Sequence, residues 1–391
     1  MHYKFLASVS GYHLQSGVRS MAKSHTFRYW AHPLVILNSP TVVRELFENR
    51  GAIYSNRPRL PMAGELVGYN MSVPLAAYGP HHTESRKLMQ SSIGGKRVDS
   101  LNANFFDHIR RHVASIVLHA SHGYNVLSKR KRSSCGFSEP SHVRILASKY
   151  SRNVPSGRLS DTQANGTAEP SFTEALIRQN PNPSKEQDLV HRWASVAFYS
   201  GGADTTVSAI SSIFLSMALF PDVQAKVQAE LDKVVGTNRL PSFADRDHLP
   251  YLANVLKEIL RWNPVAPLAL PHSSIQDDIY NGYFIPRGSL VMANSWWLMH
   301  NPQIYPLPEK FDPDRYDSGS EGSEGSGVGM NPDPHMFAFG YGRRICPGNA
   351  LADASLFITV AAVLSIFQIS NPYDMNGKQI KENFSYTVRG Y

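Results

Sequence analysis

The local patterns of this sequence are mainly helical, with a small β-rich part. Residues 188–220 are apolar on nearly every face, which predicts a long, buried central helix. Residues 249–262 have apolar side chains at helical spacing and end before a proline. Residues 278–294 alternate apolar and polar side chains and contain Asn281-Gly282, a dipeptide typical of a tight hairpin. We therefore expect helices to form most of the core.

Composition divides the chain into three zones. Residues 1–125 form an N-terminal part with a β-rich region and early helices. Residues 126–170 have few large apolar side chains and no sustained period, which is typical of disordered or non-native basic sequence. Residues 171–391 contain the dense patterns of a helical core. The sequence thus predicts two structured parts joined by an irregular segment.

Within these zones, shorter patterns place further elements. In the first zone, residues 34–37 are strand-like, and residues 40–49 and 99–119 are helix-like. Near the other end, residues 356–369 form an apolar run with the length of a buried core helix. A Gly/Ser/Glu-rich surface loop is predicted at residues 317–332.

Bulk composition restricts the function classes. The chain has 391 residues, 42% of them hydrophobic, which is enough for a large core. Its formal charge of +8 suits an electronegative partner protein or an anionic membrane surface, and nucleic acid is not indicated. The two cysteines exclude a disulfide framework and favour a reducing compartment. The sequence shows no membrane span or convincing signal peptide.

The strongest chemical signal is the segment 339–348, FGYGRRICPG, which is followed at once by a helical pattern. A lone cysteine is usually a small core residue. Here, however, glycines permit a tight turn around Cys346, and the following helix offers backbone N–H groups that favour a thiolate. A thiolate that binds iron requires such an environment.

Two further clusters carry charge inside helical patterns. The segment 201–206, GGADTT, places an acid and an alcohol in an apolar helix beside two glycines, each of which costs about 1 kcal/mol of helix stability. It suits a ligand that lies against the backbone with groups for proton delivery, or simply a threonine that bonds back to the preceding turn. Glu258 and Arg261 share one helical face, for which a surface salt bridge is the ordinary explanation.

These segments together resemble the cytochrome P450 family. Residues 339–348 match its haem-binding signature F-x-x-G-x-R-x-C-x-G at every fixed position. Residues 201–206 resemble its oxygen-activation motif [AG]-G-x-[DE]-T-[TS], and residues 258–261 resemble its E-x-x-R motif. The resemblance covers residues 30–125 loosely and 171–375 closely, and it is nearest to fungal members.

The resemblance implies a fold, a cofactor and a reaction. The fold would be the cytochrome P450 fold, mainly α with a small β-rich part. The cofactor would be haem b, with its iron bound by the thiolate of Cys346. Asp204 and Thr205 would deliver protons while dioxygen is cleaved and one oxygen atom enters a small apolar substrate. The electrons would come from NADPH–cytochrome P450 reductase.

The same resemblance assigns further residues. Glu258, Arg261 and Arg315 would form a buried structural triad that fixes the cysteine loop. Arg86 and His272 would contact the haem propionates, and His82 stands where the family usually has tryptophan. The apolar strip 265–270 resembles a substrate contact beside the haem. The cofactor-binding residues of the loop itself would be Phe339, Gly342, Arg344, Cys346 and Gly348.

The pattern also departs from the family, and this leaves alternatives open. Only 114 residues separate Arg86 from Gly201, so part of the distal helical roof is expected to be missing, as in a truncated or mis-spliced product. The chain could therefore be a catalytically inactive, haem-binding fragment, or an enzyme that rearranges peroxides without a reductase. The family is expected on the endoplasmic reticulum membrane face. This chain shows no anchor, so peripheral membrane association, or a cytoplasmic location when it is expressed as it stands, is expected.

Overall fold

A computed structural model describes residues 24–29, 32–94, 172–317 and 331–371 of the chain. Within these ranges the protein is rich in helix and has a small sheet part, as the sequence predicted. The predicted helix 99–119, the irregular segment 126–170 and most of the predicted loop 317–332 lie outside the described residues.

The larger sheet joins the first described strands to strands from residues 272–293. Strand β1 (Ser24–Tyr29) pairs antiparallel with β2 (His32–Leu37), which contains the predicted strand 34–37. Strand β6 (Leu290–Ala293) lies parallel to β2, and β3 (His272–Ser273) completes the order β1-β2-β6-β3. The buried face of β2 thereby fixes the early part of the chain against residues that lie more than 250 positions later.

The predicted hairpin forms, but it is shorter than expected. Strands β4 (Asp278–Tyr280) and β5 (Tyr283–Ile285) pair antiparallel around Asn281 and Gly282, whose φ angles are 50° and 80°. Two positive φ angles are what a two-residue turn of this kind requires. The rest of the stretch 278–294 does not belong to the hairpin, because the chain turns at Gly288 (φ 82°) and enters the larger sheet as β6.

Short helices follow the first two strands. Helix α1 (Pro40–Arg44) continues as a π-helical turn (Glu45–Asn49), which confirms the prediction for residues 40–49. Helices α2 (Gly51–Tyr54) and α3 (Pro80–Ile93) come next. The remaining short turns are a π-helical turn at Pro61–Leu66 and 3₁₀ turns at Tyr69–Met71, Phe243–His248, Pro313–Tyr316 and Gly342–Arg344.

The central helix forms where it was predicted. After α4 (Phe172–Gln179), α5 runs over Lys185–Leu219 and begins at a capping box in which Ser184 and Gln187 bond each other reciprocally. The prediction that α5 is buried throughout is wrong. Its first half packs against α3 and α4, and its second half packs in the main core. Most described side chains at 200–208 between them are exposed, because neither cluster reaches these turns.

By length and composition alone, α5 could cross a membrane, and among the described helices no other meets that test. The finding is weak, since core helices of proteins without membrane spans meet the same test. The packing of α5 at both ends and the acidic Asp204 in its middle suit a core helix better.

The main core lies around α7 (Pro250–Trp262), which confirms the prediction for residues 249–262. Helices α6 (Pro221–Val234) and α10 (Asn349–Leu364) pack with α7 and the second half of α5. Every residue from Ala354 to Leu364 is buried, as the sequence predicted for this apolar run. The helix ends at Leu364 and not at residue 369, because the following turn places Ile366 and Phe367 at the surface. Two short helices, α8 (Ser295–His300) and α9 (His335–Ala338), connect this core to the sheet.

Candidate functional site

The cysteine loop, residues 339–348, lies between α9 and α10 and is closed by its own backbone. The N–H of Cys346 donates to the carbonyl of Phe339 at 2.7 Å, and the N–H of Ile345 donates to the carbonyl of Gly342 at 3.2 Å. Gly340 and Gly342 both have positive φ, 80° and 52°, which glycine adopts without strain. The loop therefore holds the half-buried Cys346 side chain in one place just before α10 begins.

Gly342 also has no room for a side chain. A Cβ atom at this position would lie 2.0 Å from the carbonyl oxygen of Phe47 in the π-helical turn. Real Cβ atoms essentially never approach backbone oxygen so closely. The backbone of the loop therefore packs directly against the backbone of the π-helical turn.

We expect Gly342→Ala to destabilise the protein by about 2–5 kcal/mol, from left-handed backbone strain plus overpacking. The matched control is Gly236→Ala, where φ is also positive (72°) but nothing lies within 4 Å of the new methyl group. Gly236→Ala should lower the free energy of unfolding by only about 1–2 kcal/mol. Urea unfolding of both variants measures the difference, and equal losses would contradict the contact with Phe47.

Burial raises the pKa of the Cys346 thiol, while the N–H of Gly348 and the charge of Arg86 act against that rise. The predicted stabilising effect of a backbone N–H group on the thiolate is present at Gly348, and burial acts against it. A metal ion deprotonates a coordinating thiol outright. The residues around Cys346 thus suit a thiolate that exists as a metal ligand and not as a free nucleophile.

Arg86 and Arg344 lie close to Cys346, and Arg57 lies close to Arg344. Among the described residues, the hydrogen bonds of all three go to backbone carbonyl groups. Arg86 donates to Ile345 at 2.6 Å. Arg344 donates to Ser55 at 2.7 Å and has a further carbonyl contact to Ala76 at 2.8 Å. The third, Arg57, donates to three carbonyl oxygens at 2.7–2.9 Å. In the described part of the chain, none of the three forms an ion pair with a carboxylate, so their positive charge is not neutralised there.

Burial and repulsion between neighbouring charges lower the pKa values of two of these arginines. Burial and the neighbouring Arg344 lower the pKa of Arg57 to about 9. Burial and Arg86 lower the pKa of Arg344 to about 10. Buried cations without counter-ions are costly. The cluster is therefore built to receive an anionic group, and a molecule with carboxylates would fit it.

Two buried histidines stand beside these arginines. His272 donates from Nδ1 to the carbonyl of Tyr54 at 2.7 Å, and its ring stacks on Phe47 with centroids 4.0 Å apart. His82 is 2% exposed, and its Nδ1 has no hydrogen-bond partner among the described residues. Burial and the nearby arginines lower the pKa of each to about 3, so both rings are neutral at pH 7. A buried ring nitrogen without a partner is unusual, and it indicates a place for a polar ligand group.

Sequence reasoning identified Arg86, His272 and Arg344 at this site but missed Arg57 and Phe47. Arg57 reaches the site through a loop contact with Leu270, 213 positions away. No motif marks such a long-range contact. The local sequence feature that could have drawn attention to it is an arginine directly before a proline, Arg57-Pro58.

The acid–alcohol segment lies on the exposed middle of α5. Thr205 Oγ1 donates to the carbonyl of Gly201 at 2.5 Å, so the back-bonding threonine that the sequence left open does form. A side chain at Gly201 or Gly202 would meet nothing within 4 Å, which leaves open space against this face. In the described residues, no hydrogen bond or ion pair joins Asp204 or Thr205 to the cysteine loop. The structure thus provides an open helical face and does not bring the two groups into contact.

The predicted triad does come together, with Glu258 and Arg261 fully buried and the Arg315 side chain 6% exposed. Arg261 donates to both carboxylate oxygens of Glu258 at 2.8 Å, and Arg315 donates to the same carboxylate at 3.2 Å. Tyr316 adds a hydroxyl donor at 3.1 Å. Although burial alone would lower it, the ion pair with Glu258 raises the pKa of Arg261 overall. The surface-salt-bridge explanation is wrong, because Glu258 and Arg261 are both 0% exposed.

The triad reaches the cysteine loop through Tyr305. The guanidinium of Arg261 lies 5.6 Å from the centre of the Tyr305 ring. The Tyr305 hydroxyl donates to the carbonyl of Pro332 at 2.9 Å, seven residues before the loop begins and ahead of α9. The charges therefore act on the loop indirectly, as anchors for the segment that precedes it.

Comparison with known proteins places these features in a family. The family model described as Cytochrome P450 matches residues 148–389. A cytochrome P450 monooxygenase of Ampulloclitocybe clavipes, claR, is 34% identical over 89% of this chain and 74% of its own length. Cytochrome P450 monooxygenase 208 of Postia placenta is 36% identical over 90% and 78%. Tryptamine 4-monooxygenase of Psilocybe cyanescens is 32% identical over 91% and 80%.

Solved structures agree on the fold. A zebrafish cytochrome P450 with abiraterone superimposes with a TM-score of 0.65, over 96% of this chain and 95% of that chain. A zebrafish cytochrome P450 structure with progesterone gives a TM-score of 0.68 over 97% and 96%. Both are 23% identical to this chain, which makes them evidence for the fold alone.

Proposed function

Because this chain belongs to the cytochrome P450 family of haem-thiolate monooxygenases, we propose that it inserts one oxygen atom of dioxygen into a small apolar substrate, with electrons from NADPH–cytochrome P450 reductase. The family as a whole uses haem with a cysteine thiolate ligand, a reductase, dioxygen and an organic substrate. The identity of the substrate and of the reductase is the part that we propose.

The observation that carries the proposal is the unbalanced positive charge beside Cys346. Haem b bears two propionate groups, and buried arginines without counter-ions suit such carboxylates. Cys346 would hold the iron, while Arg57, Arg86 and Arg344 would hold the propionates. The partnerless Nδ1 of His82 offers a further hydrogen bond, so histidine can serve where the family usually has tryptophan. The residues of this chain therefore fit the cofactor.

When bound, the haem supplies the one-electron and oxygen chemistry that no side chain can perform. One atom of dioxygen enters the substrate and the other leaves as water, so two electrons and two protons are consumed. The exposed Asp204 carboxylate can exchange protons with solvent. Thr205 Oγ1 can relay a proton along the open face of α5. The hydroxyl accepts one proton and gives its own, which now bonds the carbonyl of Gly201, to the next acceptor.

Exposed apolar side chains support an apolar substrate. Val207 is 62% exposed on α5, three residues after Asp204 and therefore on a neighbouring part of the helix surface. Val265 and Leu270, at the two ends of the strip 265–270, are 37% and 45% exposed. Apolar groups that remain accessible beside a reaction site commonly contact ligand. We infer that the substrate is held mainly by apolar contacts.

We expect Thr205→Ala to bind haem normally but to lower the rate of product formation about 10²–10⁴-fold, the usual contribution of a positioned proton donor. Ser211→Ala is a matched control, because Ser211 is exposed on the same helix and donates to the carbonyl four residues earlier at 2.9 Å. The measurement is product formed per NADPH consumed with added reductase. In Thr205→Ala, dioxygen that is reduced but not cleaved should be released as hydrogen peroxide.

Equal activity of Thr205→Ala and the wild type would contradict the proton role. A wild-type protein that binds haem as a thiolate complex but never forms product with reductase would favour the inactive-fragment alternative. Turnover with peroxide but never with reductase would favour the peroxide-rearranging alternative. The location at the endoplasmic reticulum face and peripheral membrane association stay predictions, consistent with the charge of +8.

A further inference from the structure

A histidine outside the predicted site lies between two carboxylates near the cysteine loop. His335 Nδ1 lies 2.6 Å from Asp333 Oδ1, and its Nε2 lies 3.4 Å from Asp353 Oδ1. Asp333 precedes α9, whereas Asp353 belongs to the first part of α10, after the loop. The imidazole therefore bridges the segment that enters the cysteine loop and the helix that leaves it.

Two neighbouring elements contribute charge to this bridge. Helix α7 supplies Lys257, whose Nζ lies 3.7 Å from Asp333. The 3₁₀ turn before α7 supplies Arg246, which pairs with Asp353. Helix α8, which also packs against α9, supplies His300, but that ring stacks on Trp296 within its own helix. Each carboxylate thus has a cation of its own, and His335 is the group that joins the two ion pairs.

The bridge reaches Cys346 through one aromatic ring. The His335 ring stacks on Phe339 with centroids 5.6 Å apart and planes inclined by 24°. The carbonyl of Phe339 accepts the backbone N–H of Cys346 at 2.7 Å. Any displacement of Phe339 therefore moves the acceptor that fixes the Cys346 backbone.

We propose that the cationic form of His335 is a positioning residue, which clamps Asp333 to Asp353 across the cysteine loop and keeps Phe339 and Cys346 in the geometry that thiolate ligation needs. The inference rests on the proposed function, because it concerns the ligand of the haem iron. His335 itself would not touch the cofactor. Loss of its proton would open the clamp and make thiolate ligation sensitive to alkaline pH.

Electrostatics supports the cationic form at neutral pH. Although burial alone would lower it, the hydrogen bonds to Asp333 and Asp353 raise the pKa of His335 to about 9. Because this value lies above the ordinary pKa of 6.5, the stabilisation is fully present below about pH 6.5 and is lost as the pH rises through about 9. The His335 bonds also help to hold the pKa of Asp333 at about 2, although burial alone would raise it, so both carboxylates stay charged in this range.

The test compares the haem-loaded wild type with His335→Gln, His335→Arg and, as a control, His248→Gln at the exposed end of the 3₁₀ turn before α7. The ratio of thiolate to non-thiolate haem is read from reduced carbon-monoxide spectra between about pH 7 and pH 10. In the wild type and the control, we expect this ratio to fall roughly tenfold more than in His335→Arg, which stays cationic throughout. His335→Gln should show the low ratio already at pH 7.

The same proteins are also unfolded in urea at both pH values, a readout that does not need thiolate haem. Loss of stability at high pH in the wild type but not in His335→Arg would support the clamp. The inference is overturned if His335→Gln matches the wild type in both the haem ratio and its pH dependence, or if all four proteins lose stability equally. Absence of thiolate haem from the wild type at every pH would instead defeat the proposed function, while the unfolding comparison would still decide the clamp.

Discussion

Glu258→Gln is expected to cost about 3–5 kcal/mol of folding stability, because the change removes the counter-ion of two buried arginines. Arg261 is fully buried, and Arg315 is 6% exposed. Breaking a buried ion pair from one side typically costs about 3–5 kcal/mol, and domains have only about 5–15 kcal/mol in total. Glutamine has nearly the same shape, so the loss reports the charge and not the packing. Urea unfolding and haem retention on gel filtration measure the two consequences.

Glu48→Gln is the matched control for this prediction. Glu48 pairs with Arg44 at 3.8 Å, and both side chains are more than half exposed. An exposed pair contributes about 0–1 kcal/mol, because water screens it. If Glu258→Gln were as stable as Glu48→Gln, the triad would not be the anchor described above. The loss of haem should follow the loss of fold, since Tyr305 transmits the position of Arg261 to Pro332.

The sequence was sufficient for features that depend on neighbouring residues. The turn at Asn281 and Gly282, the helix over 249–262 and the apolar run after Cys346 follow from local spacing and turn chemistry. Of the two glycines at fixed positions of the loop motif, Gly342 has a positive φ angle (52°), whereas Gly348 does not (−97°). These predictions succeed because the determining interactions lie within a few residues of each other.

Features that depend on distant contacts could not be predicted in this way. The prediction that α5 is buried was wrong at residues 200–208, because the apolar composition of a helix does not determine which elements pack against it. Arg57 and Phe47 reach the site only through the tertiary fold. The role of His335 depends on Asp353, which lies on the far side of the cysteine loop. The division of residues 278–294 between two sheets likewise depends on the pairing of β6 with β2.

The pKa of Cys346 depends on tertiary packing that the sequence motif does not reveal. The sequence correctly placed the thiol ahead of a helix, where backbone N–H groups are available. Its burial, which raises the pKa, arises from the packing of the loop as a whole. A positive ion bound to the thiol would favour the thiolate against this effect of burial. This is the behaviour expected of a metal ligand.

The central claim, that Cys346 binds haem iron as a thiolate, is tested most directly by the reduced carbon-monoxide difference spectrum of the haem-loaded chain. Cys346→Ser is compared with Cys135→Ser, which changes the only other cysteine in the sequence. We expect a strongly red-shifted Soret band in the wild type and in Cys135→Ser, and its complete loss in Cys346→Ser. Its absence from the folded wild type, or its persistence in Cys346→Ser, would contradict the claim.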